Sequence, residues 1–451
     1  MSNLKVGFGR VNINPPMGIN VVGYAIVRKA EGVLDDLELN VVALDDGNKK
    51  AVFISVDNIA IGKAYIEEFK IALCEQTGLT REQIFLHSIH THTGPALRPV
   101  TGEKEMQMVE NYKDFVIGRC VDAVKFALND LKPAKMGYGI AKAPNIAFIR
   151  RYRMKDGSVQ TNPGVLNPDI VHPIGEIDDN VSVIRFDREG AESVIIANFG
   201  CHPDTVGGNL LSADWPGFAR RFVEKAIDNT KCIVFNGSEG DINHVNVYPE
   251  KGDFNDMFND FDGCSRGYGH ARHMGRVIAG AVMQIYDKVN YTDDTEIKCL
   301  QRVYDIPANV PEPKDMPLAR KYHELHLAGK DDEIPFKAMM LTTVVCEAGR
   351  MIRLEHGPES FPFLLSAISI GKVVMFGIPG EPFNAIGKAL KETEGYDMIV
   401  PCCLTNGYEG YFPMQDSYDE GGYEARVSNY KAGVGERIIA YGKEMLTDLL
   451  K

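Results

Sequence analysis

The 451-residue chain contains no Walker A motif, no H-E-x-x-H helix and no C-x-x-C pair. These gaps argue against a P-loop nucleotidase, a single-helix zinc protease and a cysteine-held zinc ribbon. Gly7-Phe8-Gly9 does not run on into a G-x-G-x-x-G helix, so no dinucleotide site is supported. No Lys/Arg-rich tract occurs, and the net charge of −13 with a pI near 5.4 makes nucleic acid and anionic membrane surfaces poor partners. The most apolar late stretch, residues 361–378, is broken by Pro362, Gly371 and Lys372 and reads as a β-hairpin instead of a membrane span. The first sixteen residues, MSNLKVGFGRVNINPP, read as a strand and a turn without the apolar core of a signal peptide. Nine cysteines, an odd number, fit free thiols in a reducing cytoplasm. The expectation is an acidic cytoplasmic globular protein with no stable membrane insertion, and a homo-oligomer is left open.

With 44% hydrophobic and 25% charged residues the chain can bury a sizeable core. Apolar β-rich runs at 40–44, 51–56, 193–197 and 373–376 alternate with amphipathic stretches at 64–76, 105–131, 215–229, 267–289, 318–328 and 385–393. This alternation predicts a mixed α/β fold, with central mixed β-sheets flanked by helices. No internal repeat of solenoid period is visible. Residues 303–338, rich in proline and charge, are the best candidate for an excursion, either a helical flap or a solvated connector.

Three of the 11 histidines, His87, His90 and His92, fall within six residues of IFLHSIHTHTGP (84–95). On an extended segment His90 and His92 share one side, a common start for a transition-metal site, although a polar turn with solvated histidines is also compatible. Three other apolar runs end as abruptly: at His202/Asp204, at Glu239/Asp241/Asn243 and at Glu381. Rigid strand ends are where functional groups gather. If these strands are neighbours, His90, His202 and Glu381 make a plausible two-histidine, one-carboxylate set with a position left for water or substrate. Cys201 would point away from His202 and is not expected to ligate. Residues 406–424 carry four tyrosines among glycines; a buried phenol can ligate a metal or donate to an oxyanion. Arg150-Arg151-Tyr152-Arg153 follows an apolar run and offers either a substrate clamp or a hairpin tip.

Taken in order, these segments resemble the neutral/alkaline ceramidase family of zinc-dependent amidases. Residues 9–16, GRVNINPP, are similar to the family's GRADITPP; His90-Thr91-His92-Thr93-Gly94-Pro95 resembles its HTHSGP, with threonine for serine. Phe199-Gly200-Cys201-His202-Pro203, Ser212-Ala213-Asp214, Gly240-Asp241-Ile242-Asn243 and Pro379-Gly380-Glu381 resemble its second histidine, SSD, GDVS and PGE segments. Asn406, Tyr408, Tyr411 and Tyr423-Glu424 resemble its tyrosine-rich segment. The resemblance implies Zn²⁺ held by His90, His202, Glu381 and Tyr411, with His92, Arg150 and Tyr423 around the substrate carbonyl. Zinc lowers the pKa of its bound water, making hydroxide available to attack an amide carbon. Asp241 and Asp214 are candidate partners that orient a ligand imidazole, and Asn243 stands where the family has a serine.

The resemblance covers most of the chain and implies one ceramidase-like catalytic domain over 1–451, without the family's C-terminal β-sandwich. Lacking that domain and an export signal, the chain is expected to act on a small soluble N-acyl compound in place of a membrane lipid. Ester or acetyl hydrolysis on the same zinc site, ceramide hydrolysis, and a non-catalytic metal- or ligand-binding role are the alternatives.

Overall fold

The computed structural model describes residues 3–24, 26–253 and 267–451. Among them, three four-stranded units share one topology. In the first, strands Lys5–Asn12, Glu38–Asp45 and Lys50–Val56 are antiparallel neighbours; helix Lys63–Thr77 then crosses over to strand Ile84–Ser88, parallel to its neighbour. The second repeats this with Lys132–Lys142, Asn180–Arg188, Ser193–Phe199, helix Asp214–Ala226 and Thr230–Asn236. The third repeats it with Ile297–Pro307, Ser360–Ile370, Val373–Gly377, helix Asn384–Lys391 and Met398–Cys402. A long helix follows each unit: Glu103–Asn129, Tyr268–Tyr286 and Val434–Leu450. The repeat lies in the topology and not in the residue pattern, which is why no sequence period announces it.

The first two units join through Lys5–Asn12 and Lys132–Lys142 into one sheet, and the third forms its own sheet. One core lies between the sheets, with Val42, Phe53, Phe85, Ile196 and Phe235 meeting Ile368, Val373, Met375 and Val400. On the outer face of the same strands, Leu39, Val41 and Ala43 pack under helices. A strand buried on both faces has no polar side, so 40–44 reads as the unbroken run NVVAL. The architecture is thus mixed sheets flanked by helices, layered helix–sheet–sheet–helix.

The expected helices all form, within a few residues of their sequence bounds; Ala338–Leu354 and Val434–Leu450 are additional. The excursion runs further than residues 303–338. Strand pairing persists to Pro307↔Ser360, and between those residues helices Met316–Leu327 and Ala338–Leu354 pack as a hairpin. Among the described residues no helix is long and apolar enough to cross a membrane.

Candidate metal centre

In every unit the third and fourth strands run the same way, and the segments leaving their C-terminal ends meet. His87, at the end of the first unit's fourth strand, ties these ends together. Its Nδ1 lies 2.7 Å from the Cys403 carbonyl, and its Nε2 accepts the Asn236 N–H at 3.0 Å. A carbonyl only accepts and an N–H only donates, so the buried ring is neutral with its proton on Nδ1. Burial holds its pKa down at about 3.

The strand stops at Ser88. His90 turns left-handed, at φ +74°, instead of continuing the extended segment that alternation suggested. Its ring still meets that of His92, edge-on at 5.1 Å, and that of His202 at 5.0 Å. The strained turn aims the ring, not strand periodicity.

His90 and His202 are oriented alike. Nδ1 of His90 donates to the Ile59 carbonyl and Nδ1 of His202 to the Glu239 carbonyl, each at 2.9 Å. Each ring therefore turns a lone pair on Nε2 towards Glu381, whose Oε2 lies 3.4 Å from His90 and 3.1 Å from His202. That carboxylate oxygen is buried without a hydrogen-bond donor. Tyr411, paired backbone-to-backbone with Glu381, brings its hydroxyl to 3.3 Å from His202 Nε2, and Tyr408 donates to Glu381 Oε1 at 3.1 Å. The His90, His202, Glu239 and Glu381 group is compact enough to hold a metal ion. Within it the Glu239 carboxylate touches Nδ1 of His202, the side away from Glu381, so it orients the ring instead of facing the centre.

The electrostatics fit a cation. Burial disfavours charge on His202, yet Glu239 and Glu381 outweigh it and lift its pKa to about 10. Glu381 is held far below the usual carboxylate range despite burial, by His90 and His202. Two buried carboxylates beside two imidazoles favour positive charge there, supplied by the ring protons or by a cation in their place, and the donors are the nitrogen and oxygen atoms that suit a divalent ion.

His92 is different. Burial and His90 pull its pKa well below the ordinary value, and neither ring nitrogen has a hydrogen-bond partner. Tyr24 packs edge-on against it at 5.1 Å, and a Cβ on Gly23 would come within 2.7 Å of the ring. Arg150 is buried, not at a solvated hairpin tip. It donates to Glu424 and to the Gly240 carbonyl, each at 2.7 Å, and its guanidinium lies over the Tyr411 ring. Tyr423 meets the Tyr411 ring edge-on at 5.6 Å. Gly240 is required where the Glu239 and Glu381 loops cross, because a Cβ there would sit 2.5 Å from the Glu381 carbonyl.

The remaining site residues of the sequence reading do not touch an imidazole. Asp241 accepts the Asn384 N–H at 2.7 Å, and burial raises its pKa to about 6. Asp214 accepts the Val206 and Trp215 N–H groups, and burial raises its pKa to about 7. Asn243 bonds Asn162 at 2.8 Å. These three brace the loops that carry the site. Sequence reasoning noted Glu239 as a strand-end carboxylate without assigning it a partner, and gave no separate role to Tyr408 or to Glu424 as the counter-ion of Arg150.

No protein-family profile matches the chain. Neutral ceramidase A of Dictyostelium discoideum is 23% identical over 252 residues, 52% of this chain and 34% of that protein, so the match spans about a third of the relative's length. The crystal structure of neutral ceramidase from Pseudomonas aeruginosa superposes with a TM-score of 0.73 at 18% identity, covering 100% of this chain and 75% of that one. A ceramidase complexed with C2 superposes with a TM-score of 0.68 at 16% identity, with the same coverage. The chain has a neutral-ceramidase-like fold, over its whole described length.

Proposed function

We propose that the chain is a zinc-dependent amide hydrolase acting on the carbonyl of a small soluble N-acyl compound. The observation that carries this reading is the convergence of two Nδ1-anchored imidazoles on the donor-free oxygen of Glu381, within a fold shared with proteins named as neutral ceramidases. His90, His202 and Glu381 would hold the ion, with the Tyr411 hydroxyl beside them. When bound, the ion would activate a water and polarise the acyl oxygen.

The other tasks fall to side chains. His92, kept neutral by burial, can take a proton from the attacking water and return it to the leaving amine. Arg150 keeps its charge, because Tyr411 and Glu424 more than offset burial, and it fixes positive potential beside the Tyr411 phenol. Tyr423, its hydroxyl kept protonated by burial, is placed as a donor to the oxyanion. A cytoplasmic setting belongs to the same proposal; the eight described cysteines are free thiols.

The test combines metal analysis with hydrolysis of a panel of N-acyl and O-acyl compounds. Zinc-loaded wild type is expected to cleave N-acyl members, and His90→Ala to lose metal and activity together. Zinc-loaded wild type inert on every member would overturn the enzyme reading, and a preference for O-acyl members would convert it to an esterase.

A further inference from the structure

Two residues beside His92 take no part in the proposed chemistry. Asp204 lies two residues beyond His202, on the segment leaving the third strand of the second unit. Two contacts hold that segment against His92. The Pro203 carbonyl accepts the His92 N–H at 2.9 Å. The hydroxyl of Tyr24, whose ring packs edge-on against His92, donates to the Asp204 carbonyl at 3.3 Å. His244 lies on the segment leaving the fourth strand of the same unit, directly after the pairing of Ile242–Asn243 with Phe148–Ile149 that leads into Arg150. Its Nδ1 bonds Asp204 Oδ1 at 3.1 Å. Its ring packs at 5.6 Å against that of His270, in the first turn of helix Tyr268–Tyr286. The pair is thus tied to both His92 and the Arg150 segment, and the Asp204 charge is felt at each of them.

Other carboxylates near the site are matched by arginines: Glu424 by Arg150, Glu420 by Arg151 and Arg153, and Glu347 by Arg426. Asp204 is not. Its side chain is only 16% exposed, yet among the described residues His244 is its sole side-chain partner, and no lysine or arginine pairs with it. Oδ2 accepts no hydrogen bond and keeps contact with solvent. A carboxylate largely withdrawn from water is costly unless donors or a cation meet it. Beside a reaction centre, that partner can arrive with the substrate. His92 is placed to return a proton to the leaving amine, so a group reaching Asp204 belongs to the amine portion. We propose that Asp204, steadied by His244, is a subsite for a protonated amine, and that the preferred substrate is an N-acylated diamine with its free ammonium on Asp204. The inference rests on the amidase reading for the bond that is cut, but not for the ammonium site itself. His244 acts through Asp204 as a positioning residue: by holding Oδ1 it leaves Oδ2 turned to the ligand.

Three probes that differ only in one terminal group test this: N-hexanoylethylenediamine, N-hexanoylethanolamine and N-propylhexanamide, ending in ammonium, hydroxyl and methyl. Calorimetric affinity for zinc-loaded full-length protein reads the subsite whether or not turnover occurs. The ammonium probe is expected to bind about tenfold or more tighter than the methyl probe, as one charge-assisted hydrogen bond allows, with the hydroxyl probe between them. In D204N that ratio should fall to about one, with metal stoichiometry and melting temperature retained. In H244A, which leaves the charge but frees the carboxylate to turn, the ratio should drop to a few-fold. Equal affinities for the ammonium and hydroxyl probes in wild type, or an ammonium preference unaltered in either variant, would overturn the subsite. Turnover of the same probes is read separately. Ammonium preference without cleavage of any probe keeps the subsite and removes the amidase reading; cleavage of all three without preference does the reverse.

Discussion

The site has two sides built on different principles. One is the set of sheet ends, where His90 follows the fourth strand of the first unit, His202 and Glu381 follow the third strands of the other two, and each is pinned by backbone or carboxylate partners. The other is an inserted wall: Gly23 and Tyr24 over His92, the tyrosine segment, and the helix hairpin between Pro307 and Ser360. On the first side both Nδ1 atoms are committed to carbonyls; on the second, neither ring nitrogen of His92 has a hydrogen-bond partner. The contrast teaches that the repeated architecture holds reactive groups still, whereas the insertions present groups that have work left to do on a ligand.

The comparison breaks most sharply at His90 and His92, two residues apart with opposite surroundings. His92→Ala is expected to lower kcat by about 10²–10⁴ while metal stoichiometry stays intact. Loss of metal in His92→Ala, measured by elemental analysis, would erase the division between the two sides. A smaller effect is expected from Glu239→Gln, which keeps the carbonyl bond to His202 but removes the carboxylate charge from its Nδ1 side. Metal affinity measured by chelator competition should fall about tenfold, and an unchanged affinity would make Glu239 a bystander. A third prediction, on stability instead of metal or turnover, concerns His87, which lies wholly on the rigid side. Its folded pKa of about 3 lies below the unfolded value near 6.5, so the unfolded chain takes up the proton first and stability falls as pH drops through that window. Between pH 6.5 and 5 this amounts to about 2 kcal/mol. Denaturant unfolding of His87→Gln should lack that share of the pH slope; an identical slope would show that the ring is not what acid attacks.

The sequence makes the two sides unequally legible. Sheet-end residues stand out because an apolar run stops abruptly at a polar group, and a strand buried on both faces leaves no other place for it. His90, His202 and Glu381 could be gathered on that ground, although their adjacency depends on three units closing together. The ring orientation was less visible, since a left-handed residue at His90 has no glycine or asparagine to mark it. Glu239 was hidden for another reason: GSEGDIN offers two carboxylates a residue apart, and only the crossing at Gly240 decides which reaches His202. Asp241 and Asp214 resemble orienting carboxylates in sequence, yet backbone N–H groups claim their oxygens. On the inserted wall, the pairing of Arg150 with Glu424 joins residues from distant segments with no periodicity to link them.

The distribution of donors over three units also sets a timetable. A ribosome releases the His90 and His202 segments long before Glu381 exists, and a nascent chain holding only the first two units has no carboxylate from the third with which to complete the set. The strand ends are further locked by His87, whose partners Asn236 and Cys403 come from the second and third units. Contacts of such long sequence separation form late and slowly. On the proposed metal reading, a chain interrupted before residue 381 would leave the ribosome without the carboxylate that completes the His90, His202 and Glu381 set.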